Sequence, residues 1–207
     1  MAKQLAFYFD ASGCVGCKSC AIACKDRNNL PLGVNLRRVF EYGGGSWATV
    51  DGYAVPNQVF TYFVSSACMH CVNPPCVKAC PTGAMHKRDD GVVAINTDVC
   101  VGCRYCAWTC PYGAPQYNEM AGVMAKCNFC IDLQAQGETP PCVGTCPQRC
   151  LDYGELETLR KKYATNLDAI EPLPVGTITN PALVVTPHRY SQKSGEGTGT
   201  IINRAEV

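Results

Sequence analysis

The 207-residue chain is poor in charge: Asp, Glu, Lys and Arg together make up 17% of it and balance to a formal +1. A phosphate-backbone binder needs a basic excess, so nucleic acid is not an expected partner. Long apolar runs are missing as well. The longest, such as Val92–Ile95 and Ala182–Val185, fall far short of the roughly 18 residues that cross a bilayer; if the protein works at a membrane, another subunit supplies the anchor. Met1–Asp10 has one lysine and no apolar run ahead of a small-residue cleavage site, and does not read as a secretory signal. The chain is therefore expected in the cytoplasm, or exported on a partner that carries the signal. No glycine-rich loop follows a strand, which leaves no flavin or nicotinamide site. His70 and His86 lack an acid or nucleophile in a recognisable motif, and His70 is expected to pack or hydrogen-bond rather than ligate.

Cysteine is what the chain has in excess. Seventeen of them, about 8% of residues, approach the level at which something besides a hydrophobic core holds a chain together. They fall into four blocks. Cys14-Val-Gly-Cys17-Lys-Ser-Cys20-Ala-Ile-Ala-Cys24 repeats 86 residues later as Cys100-Val-Gly-Cys103-Arg-Tyr-Cys106-Ala-Trp-Thr-Cys110, which marks a duplicated module. The other two follow the same plan: Cys68-Met-His-Cys71 with Cys76-Val-Lys-Ala-Cys80, and Cys127-Asn-Phe-Cys130 with Cys142-Val-Gly-Thr-Cys146. Each ends in CxxxC, and three of the final cysteines precede a proline; the first block continues instead as Cys24-Lys-Asp.

Disulfides would cross-link neighbours at i,i+3 and close no useful loop. Paired CxxC motifs also make zinc ribbons, but zinc does not call for a third cysteine at CxxCxxC and a fourth at xxxCP. A cubane does, because three thiolates come from the tight loop and the fourth from a partner block. Sixteen cysteines suit four 4Fe-4S clusters. The second and third blocks, only 20 residues apart, are expected to pair, leaving the first to pair with the fourth. The expected ligand sets are Cys14, Cys17, Cys20 and Cys146; Cys68, Cys71, Cys76 and Cys110; Cys100, Cys103, Cys106 and Cys80; and Cys127, Cys130, Cys142 and Cys24. Cys150 aligns with Ala84 and Ala114 of the sibling blocks and is expected to be a small buried non-ligand.

The fold expected is α+β: duplicated bacterial-type ferredoxin modules with short strands and helices, an inserted loop and an extended C-terminal tail. One module takes residues 1–57 with 121–170, the other 58–120, and 171–207 form a tail docking on a partner subunit. Strands are expected at Leu5–Phe9, Gln58–Ser65 and Gly91–Ile95, and a short helix at Leu156–Ala164 with charges that complement its dipole. Gly33–Tyr53 reads as an inserted loop or hairpin. Prolines and glycines after Glu171 rule out a long helix, and Ala182–Val185 suggests a strand laid on a partner.

Sixteen thiolates around four cubanes of roughly +2 each leave about −8, so cations nearby matter. Lys18, Lys25, Lys87, Arg88, Arg104, Lys126 and Arg149 sit within a few residues of an expected ligand, and about half are expected to act on it. Tyr105, Trp108, Tyr112 and Phe129 are expected to shield clusters from water.

Leu36-Arg37-Arg38-Val39-Phe40-Glu41-Tyr42-Gly43-Gly44, Gly83-Ala-Met-His-Lys-Arg-Asp-Asp-Gly91 and Cys110-Pro-Tyr-Gly-Ala-Pro-Gln-Tyr-Asn118, with the four blocks, resemble the iron-sulfur, electron-transfer (B) subunit of the dimethyl sulfoxide reductase family of molybdenum/tungsten oxidoreductases. The likeness runs from Phe7 to Glu206-Val207. It implies a non-catalytic subunit of a peripheral membrane complex, relaying electrons between a quinol/quinone membrane anchor and a large molybdenum or tungsten bis-pterin catalytic subunit. Some members carry tryptophan at the second cysteine of the third block; here it is Cys103. The same subunit type serves polysulfide, thiosulfate and formate-oxidising enzymes. A free-standing polyferredoxin shuttling between soluble enzymes is the alternative, and a hydratase or dehydrogenase partner a third. Anaerobic analysis is expected to return about sixteen iron and sixteen acid-labile sulfide per polypeptide; four zinc ions instead would end the cluster reading.

Overall fold

The computed structural model describes residues 3–207; Met1 and Ala2, the start of the stretch read as carrying no secretory signal, lie outside the described residues. The chain opens with β1 (Leu5–Asp10) and α1 (Ser19–Arg27), then makes two long strands, β2 (Arg38–Val50) and β3 (Tyr53–Ser66). A single helical turn, α2 (Pro75–Lys78), precedes the short strands β4 (Met85–Lys87) and β5 (Val93–Ile95), followed by α3 (Tyr105–Thr109), β6 (Gln116–Asn118) and β7 (Val123–Ala125). Next come α4 (Ile131–Ala135), α5 (Pro141–Gly144), β8 (Leu151–Glu155) and α6 (Leu156–Tyr163), and the tail adds β9 (Leu183–Thr186) and β10 (Thr200–Ile201).

Ala6, Phe7, Tyr8 and Phe9 are all buried, because β1 is the middle strand of a sheet ordered β8-β1-β9 and is covered on both faces. Phe7 and Phe9 point into the core that also holds Cys20, Cys71 and Cys142; Ala6 and Tyr8 face Leu156 and Leu159 of α6. β8 runs antiparallel to β1, with Phe9 opposite Leu151, and the Asp10 N–H donates to the Cys150 carbonyl at 2.8 Å. Since β1 leads into Cys14 and β8 leads away from Cys150, this pairing sets the first and fourth blocks side by side. A smaller hairpin does the same for the other two. Met85 pairs with Ile95, which brings the chain leaving Cys80 beside the chain entering Cys100.

Gly33–Tyr53 contributes the first arm of a hairpin, and the expected strand Gln58–Ser65 lies in the second. The turn is Asp51-Gly52, with φ of 51° and 81°, the pair of left-handed residues that a two-residue hairpin turn requires. The triple glycine lies within the strand, not in the turn. A side chain at Gly43 would meet the Phe60 carbonyl at 2.9 Å, and one at Gly44 would meet the Gly199 backbone at 3.0 Å. The inner half of the hairpin is buried through Val39, Tyr42, Tyr62 and Val64, whereas the outer half exposes Trp47, Val50 and Tyr53.

The tail corrects one expectation. Ala182–Val185 is not laid on a partner: β9 pairs in parallel with the chain's own β1, Phe7 opposite Leu183, and all four residues are buried. An apolar strand of this length finds its nearest unpaired edge within its own sheet, which sequence spacing did not reveal. β10 likewise adds to β2, Ile201 opposite Tyr42. α6 carries Glu157 in its first turn and Arg160, Lys161 and Lys162 in its last, as expected from the charge pattern. Val184, 0% exposed, is expected to lose about 2 kcal/mol of stability on replacement by alanine. The exposed Val50→Ala is expected to cost less than about 0.5 kcal/mol, both read as midpoints of anaerobic urea unfolding.

Candidate metal centres

The four cysteine blocks share a backbone device. In each CxxC loop the third residue is left-handed: Gly16 at φ 68°, Gly102 at 64°, His70 at 42° and Phe129 at 65°. Glycine adopts this readily. His70 and Phe129 are held in it by burial, their rings meeting edge-on at 5.1 Å between centroids. A second device follows the three Cys-Pro pairs. Gly83, Gly113 and Arg149 are left-handed, and their N–H groups donate to the carbonyls of Cys80, Cys110 and Cys146 at 3.4, 3.2 and 3.1 Å. Proline disfavours helix at the residue before it, so α3 stops before Cys110 and Pro111. Without that proline, α1 runs on through Cys24 to Arg27.

Main-chain N–H groups are aimed at sulfur. Those of His70, Met85, Phe129 and Cys150 donate to Sγ of Cys68, Cys80, Cys127 and Cys146 at 3.5, 3.4, 3.4 and 3.3 Å. Cys14, Cys17, Cys20 and Cys146 line one cavity, with Cys150 on its wall, and Cys80, Cys100, Cys103 and Cys106 line another. Burial pushes Cys24 up to about 11, with Cys142, Cys130 and Cys20 adding to it against Arg37. Burial also pushes Cys76 up to about 12, and Cys68, Cys110 and Cys71 add to it against Lys126. Cys127 is raised by burial, then by Cys24, and then by Cys68. Among the described residues no three His, Cys, Asp or Glu side chains converge closely enough to hold a single ion. Where thiols gather, they ring a space rather than meet at a point. Cys17 and Cys103 are the exposed cysteines, and Cys150 is 2% exposed, beside Gly13.

Two buried cations lie among these sulfurs. Lys126 donates to the carbonyls of Val93 and Cys127, and Arg37, only 3% exposed, donates to Ser65 and stacks 4.7 Å over the Phe7 ring. Among the described residues neither is in an ion pair with a carboxylate. Burial acts to lower the Arg37 guanidinium, and negative charge on the sulfurs of Cys142, Cys20, Cys127 and Cys24 raises it above its ordinary value. A buried charge needs a compensating one. Neutral thiols cannot supply it; metal-bound thiolates can. The donor set therefore fits an anionic iron-sulfur core. Arg37 was not among the cations expected to matter, because it stands 13 residues beyond Cys24 in a strand-like stretch.

Of those expected, Lys126 alone is buried. Lys25 donates to the Pro31 and Val34 carbonyls, Lys87 to those of Cys71 and Val72, and Arg149 to that of Gly144. Lys18 pairs with Glu206, Arg88 with Asp90, and Arg104 lies over the Tyr117 ring. Tyr112 and Phe129 are buried as expected of shields, but Tyr105 and Trp108 are not: they are 48% and 75% exposed. At i and i+3 of α3 they share one face of the helix, while Cys106 is its buried residue. His70 accepts the Val93 N–H at Nδ1, 3.1 Å away, and burial holds its imidazole well below the usual range.

Residues 59–156 match the family model of the 4Fe-4S dicluster domain. The fold and the sulfur sites thus define an iron-sulfur protein of ferredoxin-like type with mixed helix and strand. Over all 207 residues the chain is 49% identical to the B subunit of the anaerobic dimethyl sulfoxide reductase of Escherichia coli (strain K12), covering 100% of both. It is 34% identical over 193 residues to the B subunit of the polysulfide reductase of Wolinella succinogenes, covering 91% of this chain and 97% of the other. To the thiosulfate reductase electron transfer subunit of Salmonella typhi it is 35% identical over 160 residues, covering 76% and 79%. The chain belongs to the family of iron-sulfur electron-transfer (B) subunits of dimethyl sulfoxide reductase-type oxidoreductases.

Gly16 and Gly33 both have positive φ, but a side chain at Gly16 would meet the Phe63 ring at 2.4 Å while one at Gly33 would meet nothing within 4 Å. Alanine at either costs about 1–2 kcal/mol for the left-handed backbone. Gly16→Ala is expected to cost about 2 kcal/mol more than Gly33→Ala through the added clash, measured by anaerobic denaturation.

Proposed function

We propose that the chain binds four 4Fe-4S clusters and relays electrons between a quinol/quinone membrane anchor subunit and a molybdenum or tungsten bis-pterin catalytic subunit of the dimethyl sulfoxide reductase type. The clusters, when bound, supply one-electron carriers of tunable potential. Their ligands are Cys14, Cys17, Cys20 and Cys146; Cys68, Cys71, Cys76 and Cys110; Cys100, Cys103, Cys106 and Cys80; and Cys127, Cys130, Cys142 and Cys24. Cys150 is not a ligand. The first and third sets are supported by the two thiol-lined cavities, and the other two by the thiols that act on Cys24 and Cys76. The paired blocks form two modules of common descent, a reading supported by the left-handed residue repeated in all four CxxC loops.

The observation that carries this reading is the burial of Arg37 and Lys126 among sulfurs, with no carboxylate paired to either among the described residues. Zinc at a single point is disfavoured by the spacing of the thiols, which ring a volume. The polypeptide's part is to hold sulfur, direct N–H groups at it and keep water from it with Phe129 and Tyr112. No helix of the described residues is long and apolar enough to cross a membrane, so contact with a bilayer is made through the anchor.

Partners are expected over the exposed cysteines. Val15 and Ile22 lie exposed near Cys17, and Val101, Tyr105 and Trp108 near Cys103; a polypeptide working as a free shuttle gains little from such surfaces. The exposed parts of 171–207 and the outer β2–β3 hairpin extend the same docking area. The protein, tagged and purified anaerobically from cells expressing its neighbouring genes, is expected to bring down a stoichiometric large subunit containing molybdenum or tungsten. Recovery as a monodisperse soluble carrier with its clusters intact would favour the polyferredoxin instead.

A further inference from the structure

Arg37 has no role in holding sulfur and no acidic partner, yet it is one of the most deeply buried charges in the molecule. Its Nη1 donates to Ser65 Oγ at 3.0 Å, and Ser65 Oγ lies 3.3 Å from Cys20 Sγ. A guanidinium can only donate. Ser65 therefore receives the arginine proton on a lone pair, and once coordination has taken the proton from Cys20 the serine hydrogen is free to donate to that sulfur. The cation is thus connected to one ligand through a hydroxyl, and it shares the wall of a small cavity with Cys68 of the second block.

We propose that Arg37 and Ser65 form a polarising pair that raises the reduction potential of the cluster bound through Cys20. The proposal rests on the cluster reading above. A buried positive charge stabilises the more negative, reduced form of a neighbouring cluster over the oxidised form. Hydrogen bonding to a ligand sulfur acts in the same direction. The effect is greatest at Cys20, where a hydroxyl joins the cation to sulfur. Lys126, the other buried cation of the pair, directs its donors at the Val93 and Cys127 carbonyls. Arg37 is accordingly a tuning residue, and Ser65 carries its effect to the Cys20 sulfur.

The test is a redox titration of the intact complex followed by electron paramagnetic resonance, with iron and sulfide measured on every sample. Arg37→Met is expected to lower one potential most, that of the cluster bound through Cys20. Arg37→Lys, which keeps the charge, is expected to recover most of that shift. Ser65→Ala is expected to lower one potential, that of the cluster bound through Cys20. Full iron content with unchanged potentials in Arg37→Met overturns the proposal. So does an equal shift of all four, or a Lys variant that shifts as far as the Met variant. If Arg37→Met loses its clusters on folding, Ser65→Ala decides, and no shift there overturns it. Failure of the cluster reading itself shows separately, as parent protein with too little iron and sulfide.

Discussion

A buried positive charge cannot stand alone in a protein interior, and the two at the heart of this protein have no carboxylate paired with them among the described residues. Arg37 is stacked on Phe7 and bonded to Ser65; Lys126 is bonded to two carbonyls. Neutral contacts of this kind orient a cation without neutralising it. Burial pushes the Cys24 and Cys127 thiols upward, and a neutral thiol leaves a buried cation uncompensated. Coordination to iron reverses that balance, since a metal-bound thiolate is anionic whatever its free value. The interior is therefore built for an anionic core, and the rest of the architecture serves to hold it.

That architecture is economical in secondary structure. Three-stranded and two-stranded sheets, none deep enough to form a conventional core by itself, tie the ends of cysteine loops together. The β1–β8 pairing joins blocks more than a hundred residues apart in sequence, and the β4–β5 hairpin joins neighbours. A long connection such as the first costs loop entropy, and the burial of Phe7, Phe9, Leu151, Leu183 and Val185 in one cluster offsets it. The tail strand β9 completes this sheet. What looked like an appendage for a partner is part of the wall behind the first and fourth blocks.

Belonging to a family of reductase electron-transfer subunits agrees with a surface that brings two cysteines, Cys17 and Cys103, to solvent while the others are covered or half-covered. Apolar residues stand exposed beside both, with Trp108 the most exposed of them. The same exposure explains why Tyr105 and Trp108 do not shield sulfur here. Shielding is done instead by Phe129 and Tyr112, which arise from a tight loop and from a Cys-Pro turn and so face inward.

The spacing of the cysteines determined the number and grouping of the thiol loops, because the left-handed turn in CxxC and the proline after CxxxC are local and need no distant partner. Apolar content likewise located β1, and charge order located α6. Only the tertiary structure decided that Ala182–Val185 pairs with β1, that Gly43-Gly44 is a place of close approach within a strand, and that Arg37 is interior. Each depends on residues far away in sequence: Phe7 and Leu183, Phe60 and Gly199, Ser65 and Cys142. An arginine in an alternating stretch has the same local signature whether it faces water or sulfur, and what settles the matter is which surface folds over it.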